Sequence, residues 1–260
     1  MRYLSLLIFS LLLASLLPSC GGGPDINIFP VSQDVALGKQ TLQEIAAQPG
    51  EFPVLPEANN PAAYAYLQGM VDEIVRSGGA AHADVFPYRV FIIDKAVENA
   101  FATPGGYLFV YTGLVNTLTS ADQLAGVLAH EIAHAAERHS TKQATQRWGL
   151  SAIEQLITGG EGSGMLAEIA AGLINLNFSR SDEAEADARS VDYLCQTPYA
   201  ANGAAGFFEA MQDGGGMPEF FSTHPNPANR VQDINDRAAA QGCSVAGVED
   251  GGFEAFKRGL

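Results

Sequence analysis

Basic residues are scarce in this chain: 14 Lys and Arg stand against 29 Asp and Glu, a formal net charge of −15. Gripping nucleic-acid phosphates requires a basic face, so nucleic acid is excluded as an expected partner. Cysteine is nearly absent as well. There are three in 260 residues and none lies in a C-x-x-C pair, which argues against a cysteine-built zinc site. Beyond the N-terminus no apolar run reaches the roughly 20 residues of a membrane-spanning helix, and no segment repeats. The low charge (17%) beside 47% hydrophobic residues excludes a disordered chain and leaves a globular one with a sizeable core.

The N-terminus carries the one long apolar run. A single Arg2 precedes uncharged residues from Tyr3 to Leu17 and then Pro18-Ser19-Cys20, the layout of a secretory signal rather than a bilayer span. The "LPSC" stretch is similar to a bacterial lipobox. Residues 1–19 are therefore expected to be a lipoprotein signal peptide, with Cys20 lipidated and 20–31 a tether. Gly21 after that cysteine points to the outer membrane and the periplasmic side of the cell envelope. Residues 32–245 are read as the working domain and 246–260 as a C-terminal tail. Cys195 and Cys243 remain, a pair that an oxidising compartment can join.

Along the domain the spacing predicts helices over 32–48 and from Pro61 to Ser77, the second entered through Asn60. Residues 88–94 and 106–113 are rich in β-branched and aromatic side chains and read as strands. A Pro104-Gly105-Gly106 turn lies between them. Further helices are expected from Ser120, over 143–158 and 165–177, from Ser179, over 203–213 and over 229–241. The fold class is thus α+β, mostly helical, with a small sheet or hairpin. "GGEGSG" at 159–164 reads either as a mobile lid or as a plain loop between core helices.

The chemistry concentrates in "LAHEIAHAAERHS", residues 128–140. His130 and His134 stand four apart, which on a helix puts both imidazoles on one face, with Glu131 beside them. Paired imidazoles at that spacing bind zinc, and a neighbouring carboxylate can act as a base toward water. Two ligands do not complete a site. The metzincin pattern would need glycine at 137 and histidine at 140, but Glu137 and Ser140 stand there. A third ligand from a later helix is sought in "SRSDEAEADARS", 179–190. There Ser179 and Asp182 open a helix and place Glu183 and Asp187 on one face. Glu183 is the candidate ligand and Asp187 the group that holds a ligand histidine through its second nitrogen. Glu185 points about 200° from Glu183 and is expected to face solvent. His139 and Arg138 are read as cations closing the helix C-terminus, and His82 as an inert loop residue.

These two stretches resemble the HExxH and E-x-x-x-D motifs of the gluzincin metallopeptidase family that includes HtpX and the CaaX prenyl proteases. "NAFATPGGYLFVYTGL" (99–114) is similar to the strand segment before that family's zinc helix, and "STHPNPANRVQDI" (222–234) to its late H-P…R motif. The resemblance implies a gluzincin fold holding one zinc ion on His130, His134 and Glu183, with Glu131 as general base. It makes His224 and Arg230 candidates for steadying the oxyanion, and leaves open that His224 is instead a fourth ligand that silences the site. Asn99, Ala100, Phe101 and Ala102 would be an edge strand that a substrate extends through main-chain hydrogen bonds. The expected activity is zinc-dependent endopeptidase cleavage of misfolded or unassembled envelope polypeptides. The alternative is a zinc-bearing envelope assembly or binding factor with a gated, weakly active site and assembly partners of its own.

Overall fold

The computed structural model describes residues 26–158, 162–174, 176–213, 219–225 and 229–260. The signal peptide, Cys20 and residues 159–161 of "GGEGSG" lie outside the described residues. The expected α+β, mostly helical class is observed. Helix α1 (Val31–Ala46) precedes a 3-10 turn (Glu57–Asn59) and α2 (Pro61–Gly78). Strands β1 (Arg89–Ile93), β2 (Ala100–Thr103) and β3 (Tyr107–Tyr111) form one sheet in the order β1-β3-β2. β1 runs parallel to β3 and β2 antiparallel to it, with Phe101 opposite Phe109. The turn between β2 and β3 needs Gly105 and Gly106, both at positive φ, where a side chain is strained. β2 is an edge strand, as expected, and it is buried along its length.

After a short α3 (Thr112–Thr117), the chain enters α4 (Ala121–Ala136), the HExxH helix. Ser120 caps it by accepting from the Gln123 amide. The Gln123 side chain bonds the Thr119 amide instead of the Ser120 amide, so only half of a capping box forms. A surface helix buries one stripe, yet here every residue except Gln123 is buried. The reason is its neighbours: the sheet on one side, α2, α7 (Arg180–Leu194) and α8 (Gly203–Asp213) on the others. Small residues let them approach closely. A Cβ on Gly126 would stand 2.1 Å from the Ala204 amide nitrogen, and one on Gly203 2.1 Å from the Asp122 carbonyl oxygen. α4 and α8 therefore cross backbone to backbone.

Past α4 a left-handed Arg138 (φ 59°) breaks the helix, and α5 (His139–Thr158) starts at once in a new direction. Arg138 donates to Asp34 of α1 (2.6 Å) and to the Phe29 carbonyl, and the Thr141 hydroxyl donates to the other Asp34 oxygen (2.6 Å). α1 also packs against α6 (Gly162–Leu173) through Leu37, Ile169 and Leu173. α9 (Phe220–Thr223) and α10 (Arg230–Ala240) follow α8. A Cys195–Cys243 disulfide, Cα atoms 5.1 Å apart, ties the end of α7 to the end of α10. The segment expected to be a tail instead forms α11 (Gly251–Arg258). Its Phe256 stacks on Tyr66 of α2, and Asp250 accepts from the Tyr66 hydroxyl. Two buried aromatic anchors three residues apart on one helix face, Phe253 and Phe256, dock it.

Because the α4–α8 crossing admits no methyl group, Gly126→Ala is expected to lower stability by about 1–3 kcal/mol. Urea unfolding would show this as a lower midpoint at unchanged slope. A midpoint equal to that of the native chain would disprove the close crossing.

Candidate metal centre

α4 presents His130 and His134 one turn apart. α7 runs alongside it and supplies Glu183, one turn before Asp187. Ser179 and Asp182 open α7 as expected, through a capping box in which each side chain bonds the other's backbone amide. His224 arrives from the end of α9 and Arg230 from the first residue of α10. His130, His134, Glu183 and His224 each offer one donor atom, all within 4.8 Å of one another. None of the four, nor Glu131, is more than 1% exposed.

The donor atoms have the spacing of a coordination shell. His130 Nε2 stands 3.0 Å from His134 Nε2 and 3.4 Å from His224 Nδ1. Glu183 Oε1 stands 3.4 Å from His134 Nε2 and 3.0 Å from His224 Nδ1, and Glu183 Oε2 is 3.5 Å from His130 Nε2. Ligands about 2.0–2.1 Å from a tetrahedral zinc lie roughly 3.3–3.4 Å from each other. Three imidazole nitrogens facing one another away from water cannot all be satisfied by mutual hydrogen bonds, because each pair shares a single proton. A cation resolves that conflict. The residues fit a metal of the nitrogen- and oxygen-binding class, zinc among them.

The electrostatics agree. Burial alone would raise the Glu183 carboxyl, but the His224 charge and hydrogen bonds from His130, His134 and His224 outweigh it, and the group is held far below the usual carboxylate range. Burial alone would lower His130, yet its contacts with Asp187 and Glu183 raise it to about 9. His134 is pushed well down, chiefly by burial. Glu131 is pushed up by burial, opposed by His224 and His130. Neither Glu131 oxygen has a hydrogen-bond partner among the described residues, and its Oε1 lies 3.4 Å from His224 Nε2. A buried carboxylate left free beside a cluster of donors can take a proton.

A second ring of residues holds the first. Asp187 Oδ1 lies 3.0 Å from His130 Nδ1, the placement expected of it. Arg230 donates from Nε to Asp187 (2.6 Å) and from Nη2 to both Glu183 and Asp187 (2.8 Å each), while its guanidinium lies 3.8 Å over the Phe208 ring. Its Nη1 is buried without a partner. Phe178 stacks on His134 and Phe220 on His224. α9 is pinned at both ends, by the Phe220 amide donating to the Glu98 carbonyl and the Phe178 amide donating to the Thr223 carbonyl. Asn99, Ala100, Phe101 and Ala102 are all buried, and the Asn99 carbonyl accepts from the Tyr111 amide.

Two residues depart from the sequence reading. His139 is fully buried, with Nδ1 2.9 Å from His134 Nδ1, and does not face solvent at a helix end. Glu185, expected in solvent, is only partly exposed and lies 3.3 Å from His139 Nε2. On an unbroken helix His139 would sit about 140° around from His134; only the break at Arg138 returns it to the site. No helical spacing signals that turn.

Comparison with known proteins agrees with this geometry. A model described as peptidase family M48 matches residues 61–238. Metalloprotease YcaL of Escherichia coli is 33% identical over 161 residues, covering 59% of this chain and 62% of YcaL. Metalloprotease LoiP of the same organism is 33% identical over 163 residues, covering 60% of this chain and 64% of LoiP. A putative beta-barrel assembly-enhancing protease of Vibrio cholerae is 31% identical over 201 residues, covering 70% of this chain and 40% of that protein. The match thus spans less than two thirds of the length of each of these relatives.

With His130 raised to about 9, its ring carries an extra proton at neutral pH when no metal is bound. A cation must displace that proton, so metal affinity is expected to fall about tenfold for each pH unit below that value. Calorimetry in buffers of different ionisation enthalpy should register proton release on metal uptake at pH 7.5. Uptake without release would contradict the assignment.

Proposed function

The chain belongs to peptidase family M48, and on that premise and the geometry of the buried cluster we propose that it is a zinc-dependent endopeptidase. The observation that carries this reading is Glu131: a buried, unpartnered carboxylate set directly beside the convergent nitrogens of His130, His134 and His224. His130, His134 and Glu183 would hold the zinc. Zinc bound there supplies Lewis acidity, polarising a peptide carbonyl and making water easier to deprotonate.

The chain's own residues do the remainder. Glu131 takes the proton of the attacking water on a carboxylate oxygen and delivers it to the departing amine as the C–N bond breaks. Its raised affinity for protons, a result of burial, suits both halves of that task. Asp187 keeps His130 in the tautomer that presents Nε2 inward. Arg230 anchors Glu183 and Asp187 together, and its free Nη1 is the donor left over for substrate oxygen. Asn99 to Ala102 form the sheet edge against which an extended substrate would lie.

We assign misfolded or unassembled cell-envelope polypeptides as substrates, since backbone recognition by a strand suits unfolded chains. The lipobox-like "LPSC" supports a lipid anchor at Cys20, on the outer membrane by Gly21, and the Vibrio relative's name speaks of β-barrel assembly. A second reading, a zinc-bearing assembly factor with a gated site, is favoured by one observation. His224 Nδ1 lies among the ligand atoms, 3.0 Å from Glu183 Oε1, where it can take the position that water needs.

The test is cleavage of unfolded casein by the purified zinc-loaded protein beside Glu131→Gln and His224→Ala at equal zinc content. Loss of general-base catalysis should slow Glu131→Gln by about 10²–10⁴-fold. Activity in Glu131→Gln equal to native would refute the endopeptidase reading. A native protein that is inert until His224→Ala releases it would establish the gated alternative.

A further inference from the structure

An imidazole that gives one nitrogen to a metal needs its other nitrogen protonated and bonded to an acceptor, or its ring turns freely and its basicity drops. His130 has the Asp187 carboxylate beside it for this, 3.0 Å from Nδ1 though not aligned as a hydrogen bond. His134 does not. Its Nε2 faces the donor cluster, so Nδ1 must carry the hydrogen, and no carboxylate stands there. The atom 2.9 Å from His134 Nδ1 is Nδ1 of another imidazole, His139.

Two imidazole nitrogens at that distance share one proton. Since His134 Nδ1 donates it, His139 Nδ1 must be the acceptor, and the His139 hydrogen then sits on Nε2. That end of the ring faces negative charge: Glu185 Oε2 lies 3.3 Å from Nε2 and Asp182 Oδ1 lies 3.9 Å away. Lys142 also stands near this end, its Nζ 4.0 Å from Glu185 Oε2. Both ring nitrogens of His139 are thus taken by side chains, and neither serves as a cap for the carbonyls of α4. Phe178 closes the stack by lying on His134, with its centroid 6.2 Å from that of His139. The left-handed Arg138, clamped by Asp34, holds the turn that brings His139 here.

We propose that His139 is a positioning residue for the metal: it accepts the Nδ1 hydrogen of His134, itself held in the Nε2–H form by Glu185, and so fixes the tautomer and ring angle of that ligand. The two zinc histidines are then supported unequally, one by a carboxylate and one by a neutral imidazole relayed to a carboxylate at the surface. The inference rests on the zinc reading above and adds to it a residue that the HExxH spacing does not reveal.

The test measures zinc affinity of the full chain by competition with a chromophoric chelator, alongside melting of the zinc-free protein. In His139→Phe the ring is kept and the acceptor lost; zinc should bind about 10–100-fold more weakly, the usual effect of deleting such a partner. In His139→Asn the side-chain oxygen occupies the acceptor's place, and affinity should return to within about threefold of native. A long-range ¹H–¹⁵N spectrum of the zinc-loaded native protein should show His134 as the Nδ1–H form and His139 as the Nε2–H form. Equal zinc affinity in native and His139→Phe, or the Nδ1–H form at His139, would overturn the proposal. So would His139→Asn falling as far as His139→Phe, which marks a packing role. A native chain that takes up no zinc defeats the endopeptidase reading and this inference together, so the two failures are told apart by the native control.

Discussion

Four metal-type donors and a free carboxylate are packed where water does not reach, and the rest of the structure is arranged around the cost of keeping them there. Buried ionised groups are tolerated only when partnered. Glu183 and Asp187 are both claimed by one guanidinium, Arg230, whose flat face is in turn covered by Phe208. Removing any member leaves charges stranded in an apolar interior. This coupling explains why residues from α4, α7, α9 and α10, widely separated in sequence, must dock as a unit. It also explains why α4 is buried all round, with glycine and alanine where a helix at the surface would show polar side chains.

Local rules made much of this legible before any coordinates. The four-residue spacings of His130 with His134 and of Glu183 with Asp187 are properties of single helices, as is the capping box at Ser179 and Asp182. Most helix and strand limits follow from the same short-range physics, and Gly203–Asp213 fell where its pattern put it. The edge position of β2 agreed as well. What was not legible depends on contacts between distant segments. His139 faces the site, and so meets Glu185, only because Arg138 adopts a left-handed conformation that α1 stabilises from more than a hundred residues earlier. The parallel pairing of β1 with β3 has no counterpart in local spacing. α11 looked like a tail because its two phenylalanines matter only once Tyr66 is beside them.

The site is also closed in a particular manner. α9 bridges from the residue before Asn99, at the start of β2, to Phe178 at the start of α7, and it carries His224 between them. The same two backbone hydrogen bonds hold this short helix across the cluster, so withdrawal of His224 from the ligand set requires α9 to leave its two anchors.

The disulfide gives that movement a boundary. Cys195 and Cys243 close a loop of 48 residues that contains α8, α9 and α10, and so both His224 and Arg230. However far α9 swings, the two ends of the excursion stay fixed. A single break of the main chain anywhere inside the loop would leave its two pieces covalently joined.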